Sequence, residues 1–138
     1  MDKDKSMSKS EKRIAVIGLG YVGLPLAVEF AKKYRTTGFD ISTQRIKELG
    51  QLVDRTLEIS SEKLSNAISD NGMLLTSDIE SLRDFNVYVV TVPTPVDKNR
   101  NPDITPLLKA SESIGKVLKI GDLVIYESTV YPGATEED

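Results

Sequence analysis

The feature that most constrains this chain is a short apolar run that stops abruptly on glycine. Ile14 to Ile17 is uniformly apolar and rich in β-branched residues, the pattern of a strand buried on both faces. It leads directly into Gly18-Leu19-Gly20-Tyr21-Val22-Gly23, after which Tyr21 to Lys33 carries Leu24, Ala27, Val28 and Ala31 at helical spacing. A G-x-G-x-x-G is weak evidence alone, but between a buried strand and a helix it becomes informative. In that setting Gly18 allows a tight turn and Gly20 lets the backbone approach a pyrophosphate. Gly23 lets helix and strand pack closely, and the helix N-terminus faces the phosphates. Pro25 falls in the first helical turn, where its missing N–H has no partner to lose.

Apolar runs and amphipathic stretches alternate along the rest of the chain. Thr36 to Phe39 reads as a weaker second strand, and Ser42 or Thr43 caps a helix through Leu49 that Gly50 stops. A further helix is expected from about Ser61 to Ser69, then a short strand from Met73 to Thr76. Val87 to Val92 is a clear strand. Thr105-Pro106 opens a helix whose apolar face runs through Leu107, Leu108, Ser111, Ile114 and Leu118, and Leu123 to Tyr126 is a fifth strand. This alternation predicts an α/β fold, doubly wound, with a mainly parallel sheet and helices on both faces. A chain of 138 residues suits one domain. We place that domain at residues 12–138, after a polar, disordered leader over 1–11. Thr135 followed by Glu136, Glu137 and Asp138 looks like a cap and an acidic first helical turn, so the chain is expected to stop where a helix begins.

In open α/β sheets ligands bind beyond the carboxyl ends of the strands, and several residues fall there. Asp40 lies 22 residues after Gly18, at the end of the second strand, where a carboxylate can accept hydrogen bonds from both hydroxyls of an adenosine ribose. As a plain turn or cap residue it would look the same in isolation; the glycine motif favours the ribose role. Arg45, five residues on, is on spacing alone a ligand residue or a solvated helix arginine. Val92-Pro93-Thr94-Pro95-Val96-Asp97 begins a long loop reaching Pro102-Asp103, which is either functional or a proline-stiffened connection. Glu127-Ser128-Thr129-Val130-Tyr131-Pro132-Gly133 offers hydroxyls that can hold a nicotinamide ribose or order a water, or simply cap a turn.

Composition narrows the chemistry. Without cysteine there is no disulfide framework or thiol nucleophile, and without histidine the Ser-His-Asp triad, the usual zinc ligand sets and an imidazole base are excluded. No metal site is expected. A net charge of -3 argues against a nucleic-acid partner. Lys12 and Arg13 before the run from Ile14 to Val28 superficially resemble a secretory signal. That run is broken by Gly18, Gly20, Gly23 and Pro25 and is too short to span a bilayer, so the chain reads as cytoplasmic, without a membrane partner.

Taken together, GLGYVGLPLA, the FD at Asp40 with Arg45 beyond it, VPTPVD, PDITPL and YESTVYPGATEE resemble the amino-terminal domain of the UDP-glucose/GDP-mannose dehydrogenase family. The likeness is to the branch acting on UDP-N-acetylhexosamines in capsule, Vi-antigen or O-antigen synthesis, and it covers roughly residues 12–138. It implies a Rossmann-type domain that binds NAD. In the family a sugar C6 alcohol is oxidised to a carboxylate in two steps with two NAD, through a cysteine-bound thiohemiacetal. Residues matching Gly18, Leu19, Gly20, Tyr21, Val22, Gly23, Asp40 and Arg45 bind NAD. Those matching Val92, Pro93, Thr94, Pro95 and Val96 line it, and those matching Ser128, Thr129 and Val130 approach its nicotinamide end. The threonine matching Thr129 also helps order the catalytic water. The family's nucleophilic cysteine, its lysine and asparagine and most UDP-sugar contacts match no position in this chain, nor does the central helix of the homodimer. The expectation is a chain that holds cofactor but does not complete the reaction. Rival readings are another β-hydroxyacid-type dehydrogenase, against which VPTPVD and ESTVYPG argue, and a non-catalytic NAD sensor.

Overall fold

The computed structural model describes residues 12–92, 96 and 98–127. The expected leader, Pro93, Thr94 and Pro95 of the proline-rich loop, Ser128, Thr129 and Val130, and the cap at Thr135 lie outside the described residues.

Everything is arranged around β1 (Arg13–Ile17). Its side chains alternate between two separate cores: Ile14 and Val16 enter one, Ala15 and Ile17 the other. That is why the run is apolar without alternation. β1 pairs on one side with β2 (Arg35–Phe39) and on the other with β4 (Val87–Val90); β3 (Leu74–Thr76) and β5 (Leu123–Tyr126) flank these. The order is β3-β2-β1-β4-β5 and every pairing is parallel. Helices α1 (Gly23–Ala31), α2 (Thr43–Gly50) and α3 (Ser61–Ser69) contribute Leu24, Ala27, Val28, Leu49 and Leu64 to the first core. Helix α4 (Thr105–Gly115) covers the other face with Ala110 and Ile114, beside Leu82, Phe85 and Tyr88. Each fully buried aliphatic side chain contributes about 1.5–3 kcal/mol, so both faces of β1 carry a substantial share of the stability. This is the doubly wound arrangement expected, with its switch point between β1 and β4.

Several boundaries differ from the sequence reading for identifiable reasons. α1 begins at Gly23 rather than Tyr21, because Tyr21 and Val22 form an exposed turn leading out of the glycine loop. β4 ends at Val90 rather than Val92, because its neighbour β1 turns away at Gly18 (φ +99°) and leaves little strand to pair with. α2 includes Gly50, and Ser42, not Thr43, caps it, its hydroxyl accepting from Arg45 N–H at 3.1 Å. α4 stops at Gly115, short of Leu118. A 3₁₀ turn at Ile79–Leu82, capped by Asp78, was not expected; four residues are too few to show a period.

Tyr88 ties that turn to the sheet. Its buried hydroxyl lies 2.9 Å from Leu82 O and 3.1 Å from Phe85 O, and can donate to either carbonyl. Burial, reinforced by the charge of Asp122, pushes the phenol up to about 12, so it stays neutral through the physiological range. Tyr88→Phe is expected to cost about 1 kcal/mol. The loss should appear as a lower urea midpoint with an unchanged slope; an unchanged midpoint would show that the hydroxyl does not anchor the turn.

Candidate functional site

The register aligns the ends of three strands. Ile17 is paired with Phe39 on one side and Val90 on the other, so the residues that follow, Gly18, Asp40 and Thr91, emerge side by side. Gly18 N–H donates to Phe39 O at 2.8 Å and Thr91 N–H to Ile17 O at 2.9 Å, which carries the ladder to its last rung. There the left-handed conformation of Gly18 turns the chain toward α1. The Thr91 hydroxyl donates to Gly18 O at 2.7 Å. A Cβ on Gly23 would overlap both Gly18 O and that hydroxyl, so only glycine lets α1 seat this close to the turn.

Gly20 is different. Its φ is not positive, and a Cβ there would meet no protein atom within 4 Å. The fold therefore does not require glycine at this position, but a ligand lying against the backbone would. The space above Gly20 and the adjacent start of α1 fit a pyrophosphate.

Between these glycines, Leu19 is held on all sides. Its side chain is buried over Gly38. Its N–H donates to Asp40 Oδ2 at 2.9 Å, and its carbonyl accepts from Arg45 Nε at 2.8 Å. Asp40 Oδ1 accepts from Ser42 N–H at 2.9 Å. Asp40 is thus a turn residue and a cavity residue at once, since each carboxylate oxygen has capacity for a further bond. Arg45 is not a solvated helix arginine. Its side chain is 12% exposed, and its Nη2 lies 3.1 Å from Oδ1 of Asp54.

Asp54 sits in the loop after α2 with its side chain 1% exposed. Burial pushes its carboxyl up, but hydrogen bonds from the Thr56 hydroxyl and from Ile59 and Thr56 N–H, together with the ion pair to the Arg45 guanidinium, outweigh this and hold it below the ordinary aspartate value.

A cavity of about 590 Å³ opens between the glycine loop and α4, a size usual for small-molecule sites. Of the residues expected from sequence, Gly18, Leu19, Gly20, Asp40, Arg45 and Val92 line it together. Tyr21 and Val22 are exposed beside it, and Gly23 packs beneath the loop. Val96 instead bridges Pro102, folding the long loop back on itself, with Arg100 in a left-handed conformation (φ 65°) between them. Asp103, Thr105, Lys109 and Ser113 form the opposite wall. Hydrogen bonds from the hydroxyl and N–H of Thr105 hold the Asp103 carboxyl below its ordinary value. Sequence reading left the loop ending at Asp103 open between function and connection and missed Lys109 and Ser113, although Thr105, Lys109 and Ser113 recur every fourth residue on the face away from the apolar stripe. It also missed Thr91 and Asp54, whose roles depend on distant partners. Among the described residues, no cluster of His, Cys, Asp or Glu could hold a metal ion, and no helix is long and apolar enough to cross a membrane.

Comparison with known proteins identifies the family. The family described as UDP-glucose/GDP-mannose dehydrogenase family, NAD binding domain, matches residues 12–138. The chain is 60% identical over 126 residues to UDP-N-acetyl-D-glucosamine 6-dehydrogenase of Pseudomonas aeruginosa, covering 91% of this chain and 29% of that protein. It is 52% identical over 127 residues to protein CapL of Staphylococcus aureus, covering 92% of this chain and 29% of that one. The solved structure of UDP-D-ManNAc dehydrogenase from Pyrococcus horikoshii superposes with a TM-score of 0.79 at 38% identity, over 91% of this chain and 30% of that chain. The chain therefore spans under a third of the length of each.

The contrast between two glycines gives a direct test. Gly20→Val should keep stability within about 0.5 kcal/mol of the parent, as for a surface change, while abolishing dinucleotide binding. Gly23→Ala should instead destabilise by about 2 kcal/mol or more, because the overlap is with backbone. Thermal unfolding and calorimetry separate the two. Normal NAD binding by a folded Gly20→Val would place the phosphate site elsewhere.

Proposed function

This chain belongs to the UDP-glucose/GDP-mannose dehydrogenase family and corresponds to its NAD-binding domain; on that premise we propose that it is the cofactor-holding part of a UDP-N-acetylhexosamine 6-dehydrogenase. The observation that carries the reading is the open space at Gly20, walled by Asp40 on one side and Lys109 on the other. The loop from Gly18 to Gly23 holds the pyrophosphate through backbone N–H groups and the start of α1. Asp40 accepts from the adenosine ribose. Arg45 and Val92 border the dinucleotide, and the family resemblance assigns Pro93, Thr94, Pro95 and Val96 to it as well. Ser128, Thr129 and Val130 serve the nicotinamide end, where the Thr129 hydroxyl orders a water. When bound, NAD supplies the hydride acceptor.

Oxidation of a C6 alcohol to a carboxylate passes through an aldehyde, which gives up hydride only as a tetrahedral adduct of a thiolate or an activated water. This chain has no cysteine, so the thiolate comes from another part of the enzyme, as do most contacts to the UDP-sugar. We place the activity in surface-polysaccharide synthesis (capsule, Vi antigen or O-antigen) in the cytoplasm, within a homodimeric enzyme. The identity to a UDP-N-acetyl-D-glucosamine 6-dehydrogenase supports the substrate class.

Two outcomes test this. A carboxylate facing the ribose repels a 2′-phosphate, so NADP should bind at least ~10-fold more weakly than NAD, or about 1.4 kcal/mol; equal affinities by calorimetry would remove Asp40 from the ribose.

The second test concerns turnover. The 138-residue chain should give no steady-state NADH with UDP-glucose or UDP-N-acetylhexosamines. A chimera carrying it in place of the matching segment of the Pseudomonas relative should give about two NADH per sugar, one for each hydride transferred. In that chimera Thr129→Ala should slow turnover by roughly 5- to 150-fold, more than it weakens NAD binding, for loss of about 1–3 kcal/mol. Turnover by the chain alone would sink the reading, and an unchanged rate in Thr129→Ala would leave Thr129 a turn residue.

A further inference from the structure

Asp54 lies in no part of the glycine motif and does not line the cavity, yet it is among the most thoroughly held side chains in the protein. Its Oδ1 accepts from Thr56 N–H at 3.0 Å and from the Thr56 hydroxyl at 2.7 Å. Its Oδ2 accepts from Glu58 N–H at 2.9 Å and Ile59 N–H at 3.0 Å. The loop's four hydrogen bonds therefore aim this carboxylate without help from Arg45, whose Nη2 stands 3.1 Å from Oδ1. The dependence runs the other way. Arg45 Nη2 is buried, the pairing with Asp54 is ionic rather than an aligned hydrogen bond, and among the described residues no other partner satisfies that nitrogen. A buried guanidinium nitrogen left without a countercharge is costly, so Asp54 determines where the Arg45 head group rests. From that position Nε reaches the carbonyl of Leu19, 26 residues away, at the centre of the glycine loop.

We propose that Asp54 is a positioning residue for dinucleotide binding, acting through Arg45 on the Leu19 carbonyl. The carboxylate fixes the guanidinium, the guanidinium fixes the peptide between Leu19 and Gly20, and that peptide orients the backbone N–H of Gly20 toward the ligand side. The opposite end of Leu19 is already held by Asp40, so the relay from Asp54 supplies the second anchor that prevents the loop from pivoting about the first. The proposal rests on the reading that the dinucleotide lies against Gly20.

A double-mutant cycle tests it. NAD affinity by calorimetry and melting temperature are measured for the full chain, for Asp54→Asn, for Arg45→Gln and for the double variant, well below the lowest melting temperature. Asp54→Asn should weaken NAD about 10-fold in the parent and less than about 2-fold in the Arg45→Gln background, the non-additivity expected of groups acting in series. The part of its stability loss that arises from the Thr56, Glu58 and Ile59 bonds should persist in both backgrounds. Amide exchange at Leu19 and Gly20 without NAD should quicken in either single variant and no further in the double. Thr56→Val, a milder change that loosens one bond to the carboxylate, should weaken NAD in the same direction and only when Arg45 is present. Equal weakening in both backgrounds, or unchanged NAD affinity in folded Asp54→Asn and Thr56→Val, would overturn the relay and leave the NAD site standing. A parent chain that binds no NAD would overturn the site reading itself, and the relay with it.

Discussion

The cavity takes its form from one peptide segment, Leu19, gripped at both ends by charged side chains while its own side chain is buried below. Hydrogen bonds to charged groups contribute about 1.5–3 kcal/mol each, more than neutral ones. Two such bonds, one from Leu19 N–H to Asp40 and one from Arg45 to the Leu19 carbonyl, hold a glycine-rich loop that would otherwise be costly to order. The Thr91 hydroxyl holds the adjoining Gly18 carbonyl from the β4 side. The loop is thus ordered by the protein before any ligand arrives, which lowers the entropic cost of binding.

This organisation suits an acidic domain to an anionic ligand. With a net charge of -3, the chain cannot rely on a broad positive field to capture phosphates. On the proposed reading it relies instead on backbone N–H groups and the start of a helix, whose partial charges act at short range. The cavity wall itself mixes signs, Asp40 and Asp103 with Arg45 and Lys109, so discrimination depends on where each charge sits rather than on their sum.

Holding a dinucleotide and carrying out a two-step oxidation make different structural demands. The first needs a sheet end, a glycine turn and a carboxylate, all of which one α/β unit of this length supplies. The second needs a nucleophile and a second binding surface, and the chain spans only 29% of the 60%-identical dehydrogenase. The division places the cofactor's grip in one folding unit.

The sequence alone determined the sheet, the glycine turn and the carboxylate at Asp40, because each is written in local terms. A strand buried on both faces needs an uninterrupted apolar run, a left-handed turn needs glycine, and the strand end follows from the run's length. Its errors were at margins where local signals compete, as at Tyr21, Val92 and the 3₁₀ turn. Only the tertiary structure decided what Arg45, Asp54 and Thr91 do. Spacing alone left Arg45 open between solvent and ligand, whereas its partners are Leu19 and Asp54, and Thr91 reaches Gly18 from 73 residues away. Those partnerships depend on the parallel register that brings the ends of β1, β2 and β4 level. No periodicity encodes that register, because it is settled by how both cores pack against β1.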